Sequence, residues 1–403
     1  MKNSIRRTTP ANDPVNKLRN FGSKCKVVDF LSQPAEAPRE PEEFLMRALI
    51  PPFSMNAMLL SALLLAGTSV YAQEPSGNTV VPQSPPVRFG AFIDTYYSSS
   101  AYRPASRDRQ FITQAARDRE FNINLAHIDA AVDHDRVRGR LALQFGTAVN
   151  ANYQNETTAE KYSNQLSVRN LQEAYAGYKL FDRLWLDMGI FFGHIGFENW
   201  ISHNNWNYTR ALYADNTPYY ATGARLAYEV TARLKLQLQL LNGWQVITPP
   251  NRDKSIGTQV SYEFSTVFKI VHNGFAGNVA PDDTTTQYRF YSNLIFEVNP
   301  LRAIAFALSA DVGAQKNPTN NDYRAWYTGA FYVRWLITEQ LRTALRLEYF
   351  IDRSEMLVKT GTTNGFSVGG LTTNLDYAPT DMYRLRLEYR NFFSRDAVYA
   401  FTD

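Results

Sequence analysis

Groups that could bind a metal ion or activate a nucleophile occur in one polar segment of the chain. His194, Glu198 and His203 lie close together, and Ser202 directly precedes His203. Histidine and carboxylate side chains are common zinc ligands, but this spacing matches no established ligand motif. A serine nucleophile needs a base within hydrogen-bonding distance, whereas adjacent residues of an extended chain point apart. The pattern favours ordinary loop residues, and we expect no metal, no other cofactor and no enzymatic activity.

A second kind of chemistry comes from charged residues that alternate with apolar ones. In RLKLQLQLL (233–241), four leucines, at 234, 236, 238 and 240, alternate with basic residues or glutamine. On a strand, all these leucines share one face, which a helix would not allow. Unpaired charge is costly in a dry core, so the pattern predicts strands with one apolar and one hydrated face. The same alternation returns in VRGRLALQF (137–145), ARLAYEV (224–230), RFYSNLIFEV (289–298), RTALRLEYFI (342–351) and YRLRLEYRN (383–391).

Composition narrows the class of protein. The 403 residues have a mean hydropathy of −0.35 and include 14% aromatic residues. After residue 72 no apolar run reaches the eighteen or so residues that a membrane-spanning helix needs. Low mean hydropathy is compatible with membrane strands, because half of their residues face a polar lumen. Without residues 1–72, which hold 9 basic and 6 acidic residues, 33 basic and 32 acidic residues remain, so nucleic acid is not an expected partner.

The amino-terminal part predicts export. Residues 46–72 contain Arg47, an apolar core at 57–66 and a Val70-x-Ala72 cleavage signal, which is typical of a signal peptide. A retained amino-terminal helix is the alternative. Residues 1–45, which contain the only cysteine, precede this signal and are interpreted as a mis-assigned extension upstream of the true start. Residues 73–86 are a flexible Pro-rich lead-in, and residues 87–403 form the predicted β-barrel domain.

Connections between the predicted strands alternate between short and long. Short ones, such as 133–136 and 181–183, are followed by long ones, such as 147–168 and 193–220. This alternation is typical of up-and-down outer-membrane barrels, which have tight turns at the periplasmic rim and long loops outside. Because such barrels have an even number of strands, the sequence predicts an all-β, antiparallel barrel of about sixteen strands whose last strand is missing from this chain; a miscount is the alternative. The predicted strands are 87–100, 118–132, 136–146, 169–180, 184–192, 221–230, 233–242, 255–264, 266–272, 287–298, 302–314, 323–335, 341–351, 367–377 and 382–394.

Several of these segments resemble a known family, the OmpL-like beta-barrel porin-2 proteins. The resemblance is carried, in one order, by FGAFIDTYYS (89–98), REFNINLAHIDAAV (119–132), RVRGRLALQFGT (136–147), LQEAYAGYKL (171–180), LWLDMGIFFGHIGFE (184–198), NYTRALYADNTPYYATGARLAYE (207–229) and LNGWQ (241–245). It implies an outer-membrane porin, exported through the periplasm, that lets small hydrophilic solutes or ions diffuse passively through a water-filled barrel. Its partners would be the outer-membrane lipid bilayer and these solutes, and a homotrimer is an assembly that the resemblance allows. The alternative is a plugged structural or adhesive barrel without channel activity.

Two sets of residues follow as candidates for the pore. In porins one long loop often folds into the barrel, and the candidates for such a constriction are Glu198, Asn207, Tyr208 and Arg210; a rim loop that packs on its neighbours is the alternative. The excess of basic groups on the predicted lumen face favours a mild preference for anions. The predicted pore-lining residues are Arg138, Arg140, Arg225, Glu229, Arg233, Lys235, Gln237, Gln239, Arg289, Glu297, Arg324, Arg334, Arg342, Arg346, Glu348, Arg384, Arg386, Glu388 and Arg390.

Overall fold

Antiparallel strands account for most of the described chain. The computed structural model describes residues 67–71, 87–154, 156 and 168–399. Helical turns are few: α1 (Thr147–Asn152), α2 (Leu212–Asp215) and a 3-10 turn (Ser202–Asn204). The strands are β1 (Gly67–Tyr71), β2 (Val87–Tyr97), β3 (Phe121–His134), β4 (Val137–Phe145), β5 (Leu171–Phe181), β6 (Leu184–Phe192), β7 (Tyr220–Glu229), β8 (Leu234–Leu241), β9 (Ser255–Glu263), β10 (Phe268–Asn278), β11 (Tyr288–Val298), β12 (Ile304–Lys316), β13 (Tyr323–Leu336), β14 (Leu341–Asp352), β15 (Phe366–Thr380) and β16 (Tyr383–Ser394).

The fifteen long strands β2 to β16 form one up-and-down sheet in which each strand pairs with the next. They do not pair first to last by themselves. The short strand β1 lies between β2 and β16, with four residue pairs to β2 and two to β16, and completes the ring. The predicted all-β, up-and-down architecture is confirmed. A missing last strand is expected between β16 and β2. In the structure β1, which comes from the amino-terminal side of the chain, lies at that place.

One strand is longer than the sequence suggested. The predicted strand 266–272 extends in the structure to Asn278, because β10 pairs with β9 and β11 through Asn273 and Gly274. Asparagine and glycine are typical turn residues, which is why the prediction stopped there. Here Asn273 is fully buried and hydrogen-bonded on the lumen side, so tertiary contacts override local propensity.

The two faces of the sheet differ as the alternation predicts. On β13, Tyr327 and Phe331 are exposed, whereas Thr328 and Tyr332 on the opposite face are buried. On β8, Leu238 and Leu240 are each 53% exposed, and Gln239 between them is 1% exposed. Apolar side chains therefore point away from the barrel and polar ones point into it, the reverse of a water-soluble protein.

Some sequence-based predictions fall outside the described residues. The extension 1–45 and the lead-in 73–86 lie there, and so does the predicted signal peptide 46–72 apart from residues 67–71, whose backbone forms β1. These assignments stay predictions. Among the described residues, no helix has the length and apolar character required to cross a bilayer.

Candidate functional site

The lumen is crossed by one long segment, residues 193–219 between β6 and β7, here called the inward loop. The two ends of this loop are joined by a 2.7 Å hydrogen bond from the Gly193 amide to the Tyr219 carbonyl oxygen. A side chain at residue 193 would not fit, because a Cβ atom there would lie 2.1 Å from the Pro218 carbonyl oxygen. Asn207 and Arg210 are fully buried. A polar loop that reaches zero exposure is surrounded by the wall of the barrel.

On one side, the inward loop is held by charged side chains of β14 to β16. This ionic sector consists of Arg346, Glu348, Asp376, Arg386, Glu388 and Arg390. Arg346 is fully buried and lies at its centre; its Nη1 donates to Glu198 Oε1 at 2.8 Å and to the Thr209 carbonyl oxygen at 2.5 Å. Glu348 accepts from the Leu212 amide at 2.6 Å. Wall charges thus neutralise one another and also satisfy loop backbone groups that would otherwise be buried without partners.

Two neighbouring contacts extend this attachment along the loop. Glu388 accepts hydrogen bonds from the amides of Tyr208 and Thr209, at 2.6 and 3.1 Å, and from Thr209 Oγ1. Arg386 binds Asp376 with two nitrogens and donates to the carbonyl oxygens of Ser202 and Asn205. Arg346 and Arg386 therefore each bridge a wall carboxylate and the loop backbone. Arginine has the planar set of donors that such a bridge needs, and lysine does not.

On the other side, β8 to β12 present uncharged polar groups. This amide sector consists of Gln237, Gln239, Gln259, Asn273, Asn293 and Ser309. Gln259 donates to Asn273, which donates to Asn293, with donor–acceptor distances of 2.8 and 2.7 Å. The loop joins this chain where Gln259 donates to the His194 carbonyl oxygen and the Gly196 amide donates to Asn293. Most bonds of the amide sector are therefore made within the wall itself.

A second set of charged residues lies on β3 to β7. Asp187 is fully buried and accepts from Arg138 at 2.7 Å and from Arg225 at 2.9 Å. Nearby, Arg140 pairs with Asp129 and Glu173. The basic residues that the sequence places on the lumen face are thus largely matched by carboxylates here.

Open space remains between the inward loop and the β9–β11 wall. A cavity of ≈ 370 Å³ lies there, with Asn204, Asn205 and Trp206 of the loop on one side and Gln259, Ser261, Lys269 and Glu297 of the wall on the other. Lys269 and Glu297 form an ion pair at 2.8 Å. The volume far exceeds what a single water molecule needs, and the lining offers both donors and acceptors.

The histidines and acids of the loop have separate partners. His194 Nε2 lies 2.9 Å from the Gly274 carbonyl oxygen, and Ser202 Oγ donates to Asp94 at 2.7 Å. Burial raises the pKa of Glu198, although Arg346 opposes this shift. Burial, followed by the nearby Arg384, Arg386 and Arg342, lowers the pKa of His203 to about 4. Among the residues that the structure describes, no cluster of His, Cys, Asp and Glu is suited to hold a metal ion.

The candidates for a constriction lie together within the barrel. Glu198 pairs with Arg346, and Asn207 donates to Asn374 at 2.7 Å. Tyr208 OH donates to Asp94, a residue of β2. Arg210 lies 3.4 Å from Asp215 and stacks on the rings of Tyr219 and Trp200. All four are at least nine-tenths buried, so they expose little surface to a passing solute. Their role at a constriction stays a proposal.

The predicted pore-lining residues differ in exposure. Four of them are exposed: Arg233 lies in a short turn, Arg324 and Lys235 lie second in their strands, and Glu229 ends β7. Buried ones are Gln239, Arg289, Arg346, Glu348 and Arg386, and half-buried ones are Arg138, Arg140, Arg225, Gln237, Glu297, Arg334, Arg342, Arg384, Glu388 and Arg390.

Several lumen residues were missed by the sequence analysis. Asp187 alternates with Leu186 and Met188 on β6, so strand parity alone would have placed it on the polar face. The same holds for Glu173 on β5 and Asp376 on β15. Asn273 had no such signal, because its segment was predicted to be a loop. The missed acids matter, since they offset much of the basic excess inferred from the sequence.

An antiparallel ring of strands with an apolar exterior and a polar, loop-crossed interior defines a membrane-spanning β-barrel, because in lipid only such a sheet satisfies its backbone. A sequence model of the family described as "Putative beta-barrel porin-2, OmpL-like" matches residues 86–403. The chain belongs to this family of porins, and it is an outer-membrane protein.

Solved structures give further likenesses. OmpT of Vibrio cholerae, in its trimer form, is 10% identical, with 68% of this chain and 83% of that chain covered and a TM-score of 0.45. The outer membrane channel DcaP of Acinetobacter baumannii is 9% identical, with coverages of 76% and 97% and a TM-score of 0.45. The anion-selective porin from Comamonas acidovorans is 8% identical, with coverages of 76% and 89% and a TM-score of 0.45. Among curated proteins no match to this chain was found.

Proposed function

We propose that this porin lets small hydrophilic solutes or ions diffuse passively across the outer membrane. The observation that carries the proposal is the polar cavity of ≈ 370 Å³ between the inward loop and the β9–β11 wall. Polar wall groups such as Gln259 and Ser261, together with the Lys269–Glu297 ion pair, can replace water around a passing solute. The short turns lie at the periplasmic rim in porins, so a solute would leave the cavity toward the periplasm.

Planar lipid bilayers test this proposal. The purified full-length chain, folded in detergent and checked by circular dichroism, should give discrete ohmic steps in potassium chloride. A matched variant, in which residues 195–217 are replaced by a short Gly-Ser linker, should conduct several-fold more current. Folded protein that is silent both with and without the loop would refute a channel.

A plugged structural or adhesive barrel is the second candidate, and it is favoured by the buried centre of the inward loop. Asn207, Arg210 and Arg346 have no exposed surface, so the middle of the lumen is filled in this conformation. The full-length chain and the loop-replaced variant separate the two candidates. A silent full-length chain together with a conducting loop-shortened variant would support a plug.

The assembly state is a separate proposal. A homotrimer stays a prediction of the family resemblance, and chemical cross-linking of the protein in detergent, followed by denaturing electrophoresis, would test it. Bands at three times the monomer mass support a trimer, and a monomer alone contradicts it.

A further inference from the structure

Positive charge on the lumen wall is concentrated near the short-turn rim of β13 to β16. Arg334 lies two residues before the end of β13, and Arg342 and Arg384 are each the second residue of their strands. Arg386 follows on the same face of β16. Two of these four arginines, Arg342 and Arg386, lie in register with one carboxylate, Asp376, on the intervening strand β15.

That single carboxylate is already occupied. Asp376 binds Arg386 at 2.6 and 2.7 Å, whereas its nearest approach to Arg384 is 3.9 Å. Arg384 donates through Nη1 to the His203 carbonyl oxygen, and its buried Nε has no hydrogen-bond partner. Within the described part of the chain, neither Arg334 nor Arg342 makes an ion pair with a carboxylate. Arg334 and Arg342 are therefore left without an ion pair among the described residues, and Arg384 has only its 3.9 Å contact with Asp376.

The inward loop contacts two of these groups, Arg334 and Arg384. The guanidinium of Arg334 lies 4.7 Å from the ring centre of Trp206, and Trp206 also lines the polar cavity. His203 lies in the same region: Arg384 donates to its carbonyl oxygen, and Arg384, Arg386 and Arg342 act together on its imidazole. We call Arg334, Arg342, Arg384, His203 and Trp206 the cationic pocket. Its three arginines lie near the short-turn ends of their strands, and it shares Trp206 with the cavity.

We propose that the cationic pocket binds small oxyanions, solutes that carry a carboxylate or phosphate group, on the short-turn side of the inward loop. This inference rests on the proposed channel function and adds a substrate class and a location to it. Guanidinium groups bind the oxygens of such anions with paired N–H donors, and Trp206 offers a flat apolar surface for the remainder of the solute.

Conductance with inorganic phosphate as the probe tests the site. Millimolar phosphate in the chamber that faces the short-turn rim should reduce the chloride current, and phosphate in the opposite chamber should do so less. In an Arg334→Gln/Arg342→Gln double variant, block should need about tenfold more phosphate, since two charged donors are lost. Arg302→Gln is the matched control, because Arg302 lies in the short turn after β11 with its side chain 90% exposed. Equal block in the double variant and the wild type would overturn the proposal.

Fluorescence separates this proposal from the channel function. Phosphate that draws Arg334 away from Trp206 should change the tryptophan emission of detergent-solubilised protein, and a Trp206→Phe variant should lose that change. A silent channel whose Trp206 still responds would refute the channel and keep the anion site. A conducting channel with neither block nor a fluorescence response would refute the anion site and keep the channel.

Discussion

The amide sector and the ionic sector hold the same loop by different means. The amide sector contacts residues 194–196 and makes most of its hydrogen bonds within the wall. The ionic sector contacts residues 198–212, and its charges depend on loop groups for their remaining partners. Removing the loop would leave buried charges incompletely paired on one side only. The ionic sector and the loop therefore form one unit, whereas the amide sector belongs to the barrel.

The largest effect is expected when the ionic sector is broken at its centre. Arg346→Ala removes a fully buried guanidinium and leaves Glu198 and Glu348 without it, which should cost about 3–5 kcal/mol of unfolding free energy. Urea unfolding of protein folded in detergent micelles measures this loss. Arg233→Ala is the control, because Arg233 is exposed in a short turn and should change little. A loss no greater than that of the control would show that the loop is held elsewhere.

A smaller effect is expected in the amide sector. Asn273→Ala interrupts the chain between Gln259 and Asn293 and should cost about 1–3 kcal/mol, the price of unmaking neutral buried hydrogen bonds. The same unfolding assay is run at low and high salt. The loss of unfolding free energy in Asn273→Ala should not depend on salt, because the lost hydrogen bonds join uncharged amides. A loss larger than that of Arg346→Ala would reverse the ranking of the two sectors.

The smallest effect is expected from pH. His203 faces Arg384, Arg386, Arg342 and Asp376, and its pKa is about 4 in the packed loop against an ordinary value of 6.5. A released loop therefore takes up a proton below about pH 6.5 that the packed loop accepts only near pH 4, so packing weakens as the pH falls through that window. Emission from Trp206, followed by titration, measures the release.

His203→Gln is the control for this titration. It should remove the part of the change between about pH 6.5 and 4, while the uncharged amide sector adds nothing in that range. An unchanged profile in the variant would assign the response to other groups, namely His194, whose pKa burial also lowers, or the carboxylates of the ionic sector.

The sequence predicts the barrel better than its interior. Alternation such as that around Leu238 fixes the two faces of a strand, and the lengths of connections fix which strands are neighbours. Partners across the lumen could not be predicted. Arg346 and Glu198 are far apart in sequence, and they meet only because the inward loop crosses the ring. Parity would have found Asp187, but Asn273 lies in a segment whose strand character comes from its neighbours.

The hydrogen bonds of the amide sector all run in one direction. Gln239 donates to Gln237, Gln237 to Gln259, Gln259 to Asn273, and Asn273 to Asn293, which donates to Ser309 and to the carboxylate of Asp311. Aligned amides polarise one another, so their dipoles add along the wall from β8 to β12 and point their positive ends at the side chain of Asp311. We therefore expect uncharged groups to produce a transverse electric field beside the cavity, and in the proposed channel a dipolar solute would turn to align with it.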